Sequence, residues 1–195
     1  MQEVSSVRST KRGLFKRNPK LWAPFGKEQS HLKKLNPYYV TGFIDGEGSF
    51  SVSIGKHQTL KRRISVSPEF EIELRADDRA ILERVMVTIG CGKIYDCSYD
   101  RYGWYPHIKY KVTSTKDMEH YLFPFLDRYE LQAKKAKSYR LFKKIVMMFR
   151  HKEHLSDQGF NKILKLRDEI RILGKKHRVA TARVRENRLP SGVGQ

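Results

Sequence analysis

Val40-Thr41-Gly42-Phe43-Ile44-Asp45-Gly46-Glu47-Gly48 continues an apolar run, Tyr38-Tyr39, and leads directly into the alternating segment Ser49-Phe50-Ser51-Val52-Ser53-Ile54. Read as a helix entering a strand, the stretch puts Gly42 and Gly46 on one face. With no side chains there, another helix can approach closely. The same small-residue spacing occurs in membranes, but this segment is too short and too polar to span one. Glu47 falls at the helix C-terminus, on the wrong side of the macrodipole by about 0.3 to 1 kcal/mol, which points to a cation partner. The plainer reading is a packed helix with Gly48 as its C-cap.

Upstream, Asn36-Pro37 opens this helix, with Asn36 as N-cap and Pro37 in the first turn. Downstream, Ser49–Ile54 and Arg63–Leu74 alternate strictly, Phe50, Val52 and Ile54 facing one way and Ile64, Val66, Phe70, Ile72 and Leu74 doing the same. Pro68 marks a bulge or an edge, and Gly55–Arg63 is a basic hairpin loop. Asp77 caps a helix through Ile89, stopped by Gly90-Cys91-Gly92. A second hairpin runs Lys93–Tyr99, a turn over residues 100–104, then His107–Thr113. Ser114 or Thr115 caps the next helix, which Pro124 limits or kinks. Basic amphipathic helices follow at about Gln132–Met148 and Ser156–Leu173, the latter closed by Gly174. The pattern is α+β: a four-stranded antiparallel sheet with helices on one face and extra helices at the C-terminus.

The 195 residues suffice for one domain with a real core, and 39% apolar with 11% aromatic content excludes wholesale disorder. No run reaches the roughly 18 apolar residues of a membrane span, so the chain reads as soluble and intracellular. Cys91 and Cys97, the two cysteines, imply no disulfide framework and no zinc cluster. The net charge of +19 calls for a polyanion, nucleic acid first. Residues 1–35 carry nine Lys/Arg against two acids and read as a basic arm, with a mitochondrial transit peptide as the competing reading. Residues 174–195, six against one, read as a basic tail, leaving 36–173 as the domain (core 36–149, added helix 156–173).

The nonapeptide Val40–Gly48 resembles the signature of the LAGLIDADG homing endonucleases: Gly42, Asp45, Glu47 and Gly48 match, and Phe43-Ile44 replaces Leu-Ile. The element order αββαββα over residues 36–149 is also that family's core. The resemblance implies a saddle-like sheet lying in the DNA major groove and signature helices packed in pairs through Gly42, Phe43, Asp45 and Gly46. A single signature implies a homodimer on a palindromic or near-palindromic double-stranded target. It further implies Glu47 and the Gly46 carbonyl as Mg²⁺ ligands, with Mn²⁺ a substitute and Ca²⁺ supporting binding without cleavage. A lysine near the start of the helix after the fourth strand is expected beside the attacking water, and Lys134 and Lys135 are the candidates. A water-positioning polar residue is expected where Leu74 stands, which cannot serve; Glu73 and Arg75 flank it.

DNA readout falls to Ser49, Ser51, Ser53, Lys56, His57, Gln58, Lys61, Arg62 and Arg63 in the first hairpin, and to Lys93, Tyr95, Arg101, Tyr102, Lys109 and Lys111 in the second. Glu69, Glu71 and Glu73 alternate onto the same face. Either Pro68 switches the register, or the acids accept from cytosine amines, or they pair with the basic strand beside them. The function this implies is site-specific cleavage of both DNA strands, in a bacterial cytoplasm or an organelle. An intron RNA maturase and a non-cleaving DNA-binding regulator share the fold, and a ribosome-type RNA-binding protein shares the charge.

Overall fold

The computed structural model describes residues 32–58, 64–99, 103 and 105–186, with the backbone of 15–17; side chains are described as far as residue 174. Strand β1 (Phe15–Arg17) precedes helix α1 (Pro37–Glu47), after which come β2 (Gly48–Lys56), β3 (Ile64–Arg75) and helix α2 (Arg79–Ile89). Strands β4 (Lys93–Cys97) and β5 (His107–Val112) form the second hairpin. Helices α3 (Thr115–Asp117), α4 (Phe123–Arg128), α5 (Lys135–Arg150) and α6 (Asp157–Glu186) complete the chain, a π-helical turn, Met118–Leu122, joining α3 to α4. The wide turn comes just before Pro124, which lacks the amide that a regular helix would use there. All strand pairs are antiparallel, in the order β1-β4-β5-β3-β2.

The α+β arrangement with helices over one sheet face is as the sequence indicated, and strict alternation is the reason. Phe50, Val52, Phe70, Ile72, Ile94, Ile108, Tyr110 and Val112 are all buried and form the covered face. Val40 and Ile44 of α1, Leu82, Val85 and Met86 of α2, and Phe142, Ile145 and Val146 of α5 close the core. Phe50 is its hub, with ring centroids 5.0 Å from Phe70, 5.3 Å from Phe142 and 5.6 Å from Tyr139. α6 lies on α5 through Ile163, Leu166 and Ile170 at helical spacing. Cys91 and Cys97 are buried free thiols, pushed up to about 12 and about 11 mainly by burial, so neither is a nucleophile at neutral pH.

Several boundaries differ from the sequence reading; Asp77, for one, lies in a 3-10 turn (Ala76–Asp78) before α2 and does not cap it. The basic arm contributes a fifth strand, β1, pairing Phe15 with Cys97 and Arg17 with Tyr95. An open edge recruits any extended segment through main-chain bonds, and three residues leave no periodicity to read. α6 runs through Gly174 to Glu186 instead of ending at Leu173. An interior glycine costs a helix only about 1 kcal/mol, which is too little to stop it. α5 begins at Lys135, three residues after Gln132, because another element holds the amides of that turn. Pro68 switches nothing: it faces Val52 in continuous register, and β5 begins pairing with β3 only at Phe70, so Pro68 sits at an edge. No helix among the described residues is long and apolar enough to cross a membrane.

Candidate functional site

Helix α1 starts as its sequence dictates. Asn36 accepts a hydrogen bond from the Tyr38 amide at 2.9 Å, and Pro37 occupies the first turn. The buried Thr41 hydroxyl donates to the carbonyls of Pro37 at 3.1 Å and Tyr129 at 3.0 Å, which ties α1 to the end of α4. At the other end Gly48 turns directly into β2 with extended φ −68° and ψ 149°, so it is not a left-handed cap. A Cβ there would stand 2.8 Å from both Cγ2 and O of Ile44 and 3.2 Å from Phe70, and close approach is what requires glycine.

The last turn of α1 carries Asp45 and Glu47 and no basic residue, so carboxylates and helix dipole are both negative there. The compensating charge comes from α5. Lys135 Nζ donates to the Gly46 carbonyl at 3.0 Å. Partial burial pushes its ammonium below the ordinary lysine range, while the Asp45 and Glu47 carboxylates pull the other way. Glu47 is exposed, and Lys134 is exposed one residue before Lys135. Of the two lysine candidates, the fold brings Lys135 to the end of the signature helix.

Asp45, expected on the face between paired helices, is turned inward. Its Oδ2 accepts from the amides of Gln132 at 2.7 Å and Ala133 at 3.2 Å. Both amides precede the N-cap Lys134, so Asp45 holds the turn that leads into α5 and to Lys135. A carboxylate there also complements the helix dipole. Its second oxygen, Oδ1, is buried without a hydrogen-bond partner among the described residues.

Helix α1 has two apolar faces. Val40 and Ile44 face the core, whereas Tyr39, Gly42, Phe43 and Gly46 form an i, i+3, i+4, i+7 stripe on the other side. Tyr39 is 51% exposed and stacks on Phe43 at 6.1 Å, and no described atom lies within 4 Å of a Cβ built on Gly42 or Gly46. Tyr39, absent from the residues expected on this face, completes the stripe, and its spacing from Gly42 and Gly46 was there to be read.

On the uncovered sheet face, Ser49 and Ser53 of β2 are exposed and Ser51 half-buried, and Lys56, His57 and Gln58 are exposed at its hairpin end. Lys93 is exposed and Tyr95 half-buried on β4. Lys61, Arg62, Arg63, Arg101 and Tyr102 lie outside the described residues. Lys109 is ion-paired with Glu71 and Glu73, and Lys111 with Glu69 and Glu71, the third of the options the sequence left. Leu74 packs against the core on the covered face, and neighbouring Glu73 accepts from Tyr99 and pairs with Lys109, so no free polar group stands at the expected water-positioning place.

Hard oxygen donors fit a divalent ion of the Mg²⁺ type, and the end of α1 presents one carboxylate and one carbonyl. Within the chain that carbonyl accepts from the Lys135 ammonium.

The sequence model of the LAGLIDADG endonuclease family matches residues 40–146. A probable intron-encoded endonuclease 2 of Neurospora crassa is 31% identical over 140 residues, which are 70% of this chain and 29% of that protein. The homing endonuclease I-ApeII of Aeropyrum pernix is 34% identical over 109 residues, 56% of this chain and 61% of its own length. Among solved structures, I-SmaMI bound to uncleaved DNA target in the presence of calcium ions superposes with a TM-score of 0.65 at 33% identity, covering 70% of this chain and 45% of that one. I-LtrWI bound to target DNA gives 0.65 at 31% identity, with 71% and 45% covered. The chain thus spans under a third of the Neurospora protein and under half of each solved chain. With the matched segment, the signature helix and the sheet order all in agreement, the chain belongs to the LAGLIDADG endonuclease family.

Proposed function

We propose that this chain is one unit of a site-specific DNA endonuclease that hydrolyses both strands of a long duplex target with Mg²⁺. The observation that carries this reading is the end of α1, where exposed Glu47 and the Gly46 carbonyl adjoin a half-buried lysine from α5. Glu47 and the Gly46 carbonyl would hold the ion. When bound, such an ion lowers the pKa of an attacking water and neutralises the leaving oxygen. Lys135 offsets charge developing on the phosphate, and Asp45 keeps it in place. Relatives named as intron-encoded or homing endonucleases support the reading. It is tested on duplex DNA carrying the host locus without its insertion. Double-strand cutting is expected in Mg²⁺ or Mn²⁺, and binding without cutting in Ca²⁺. Tight binding with no cutting in Mg²⁺ would point to a maturase or a regulator instead.

Water and phosphate oxygens would complete the shell around two protein donors, and a second signature helix would supply the matching site for the other strand. The stripe Tyr39, Gly42, Phe43, Gly46 is the surface proposed to receive it, from a second copy of this chain in a homodimer or from a second such unit in a longer protein. Gly42→Leu separates pairing from folding. A Cβ at Gly42 stands in open space, and leucine adds about 1 kcal/mol of helix propensity, so the melting temperature should hold or rise. Cleavage, and self-association in the sedimentation centrifuge where the wild type shows it, should be lost. A variant that melts several degrees lower yet still cuts would show that the stripe faces nothing.

A further inference from the structure

Helix α5 carries six Lys/Arg and no acid. Its apolar side, with Phe142, Ile145 and Val146, is in the core. Lys137, Arg140 and Lys144, all exposed at i, i+3, i+7, therefore form a stripe on the side turned away from the sheet. Lys143 and Arg150 of the same helix are paired with Asp127 and Glu119, whereas the three of the stripe have no ion-pair partner among the described residues. A duplex on the uncovered sheet face lies beyond the helix layer and leaves these cations unused.

Beside the stripe, α5 and α6 leave an open groove of about 400 Å³, lined by Lys137, Arg140, Leu141, Glu169, Ile172 and Leu173. Ile172 is 52% exposed there, an aliphatic side chain left at the surface. α6 has 30 residues to the 16 of α5, about 45 Å against about 24 Å. Lys137, near the start of α5, shares the groove with Leu173, so residues 175–186 of α6 run on past that start. A helical stretch shorter than about 12 to 15 residues is marginal in water without an apolar neighbour packed on it.

The occupant follows from the chemistry of the lining. No aromatic ring is among the lining residues, so the groove has no platform on which the bases of a single strand would stack. An aliphatic floor between two helices instead seats the apolar face of a third. The cations on its rim select a helix whose flanks are acidic. The chain's own arms do not suit: residues 1–35 carry nine Lys/Arg against two acids and residues 174–195 six against one. A second copy brings the same excess of positive charge.

We propose that the α5–α6 groove docks an acidic amphipathic helix of a partner protein, its apolar face on Leu141, Ile172 and Leu173 and its carboxylates on Lys137 and Arg140. The surface is separate from the end of α1, and the proposal holds whether or not the chain cuts DNA.

The test uses the full chain and a labelled synthetic peptide of about three heptads, with leucines at i, i+3, i+4, i+7 and glutamates and alanines elsewhere, followed by fluorescence anisotropy at about 150 mM salt. Micromolar binding is expected, about tenfold tighter than for a peptide of the same composition with its leucines scrambled. Ile172→Asp should lose about that tenfold with the melting temperature unchanged, since the position is half exposed. Lys137→Ser combined with Arg140→Ser should weaken binding severalfold and flatten its salt dependence, which carries the test should Ile172→Asp fold poorly. No saturable binding of the patterned peptide would overturn the proposal. Equal binding of both peptides, or wild-type affinity in Ile172→Asp, would reduce the interaction to bulk charge and overturn it too. Displacement of the peptide by a single-stranded uridylate oligonucleotide whose own affinity falls in Ile172→Asp would assign the groove to RNA and overturn it equally.

Discussion

Glu47→Gln should leave a folded, DNA-binding protein that no longer cuts. The side chain is exposed at the end of α1 and outside the core, so the melting temperature should move by no more than a surface substitution, about 0.5 kcal/mol. A small rise is the expected sign, because the change removes a negative charge from a helix C-terminus with no basic residue in its last turn. Glutamine retains the shape and one oxygen but loses the charge that a hard divalent ion requires. If the ion contributes several kcal/mol to the reaction, single-turnover cleavage in Mg²⁺ should fall on the order of 1,000-fold, with Ca²⁺-supported binding retained. Cleavage within a few-fold of wild type would remove Glu47 from the metal site.

The second large effect distinguishes neighbours in sequence. Lys135→Met keeps the side-chain stem and deletes the ammonium that reaches the Gly46 carbonyl. Loss of a group acting on the reacting phosphate costs about 10² to 10⁴-fold in rate, so Lys135→Met should lower the single-turnover rate by that order at saturating DNA while leaving the half-saturating DNA concentration little changed. Lys134→Met, one residue earlier at an exposed position, should leave the rate unchanged and cost at most the contribution of one phosphate contact to affinity. Equal losses in both variants would mean that the site's lysine was misassigned.

How much of this was legible beforehand differs by residue, and the differences have physical causes. Asn36 as N-cap, Ser114 as the cap of α3 and the alternating β2 and β3 were readable because capping and two-residue periodicity are local. Gly48 was readable as special but not for its actual reason, close approach to Ile44 and Phe70, since Phe70 is brought there by folding. Asp45 was expected only at the paired-helix face, and its bonds within the chain were not foreseen. Helical spacing puts it at the boundary between two faces, and what draws it inward is a pair of free amides at Gln132 and Ala133. The strand β1 and the continuation of α6 past Gly174 were missed for opposite reasons, one too short to have a pattern and the other interrupted by a weak stop signal.

The sequence by itself determined the family and the helix-strand order and singled out Glu47 as a candidate, because periodicity, caps and a nine-residue signature are properties of contiguous residues. The tertiary structure alone decided that Lys135 and not Lys134 meets that helix, that Asp45 positions it, and that Glu69, Glu71 and Glu73 restrain Lys109 and Lys111. Each of these depends on charges and amides from distant segments meeting within a few ångströms. Only the closed core, with α1, α5 and the sheet held around Phe50, brings them together.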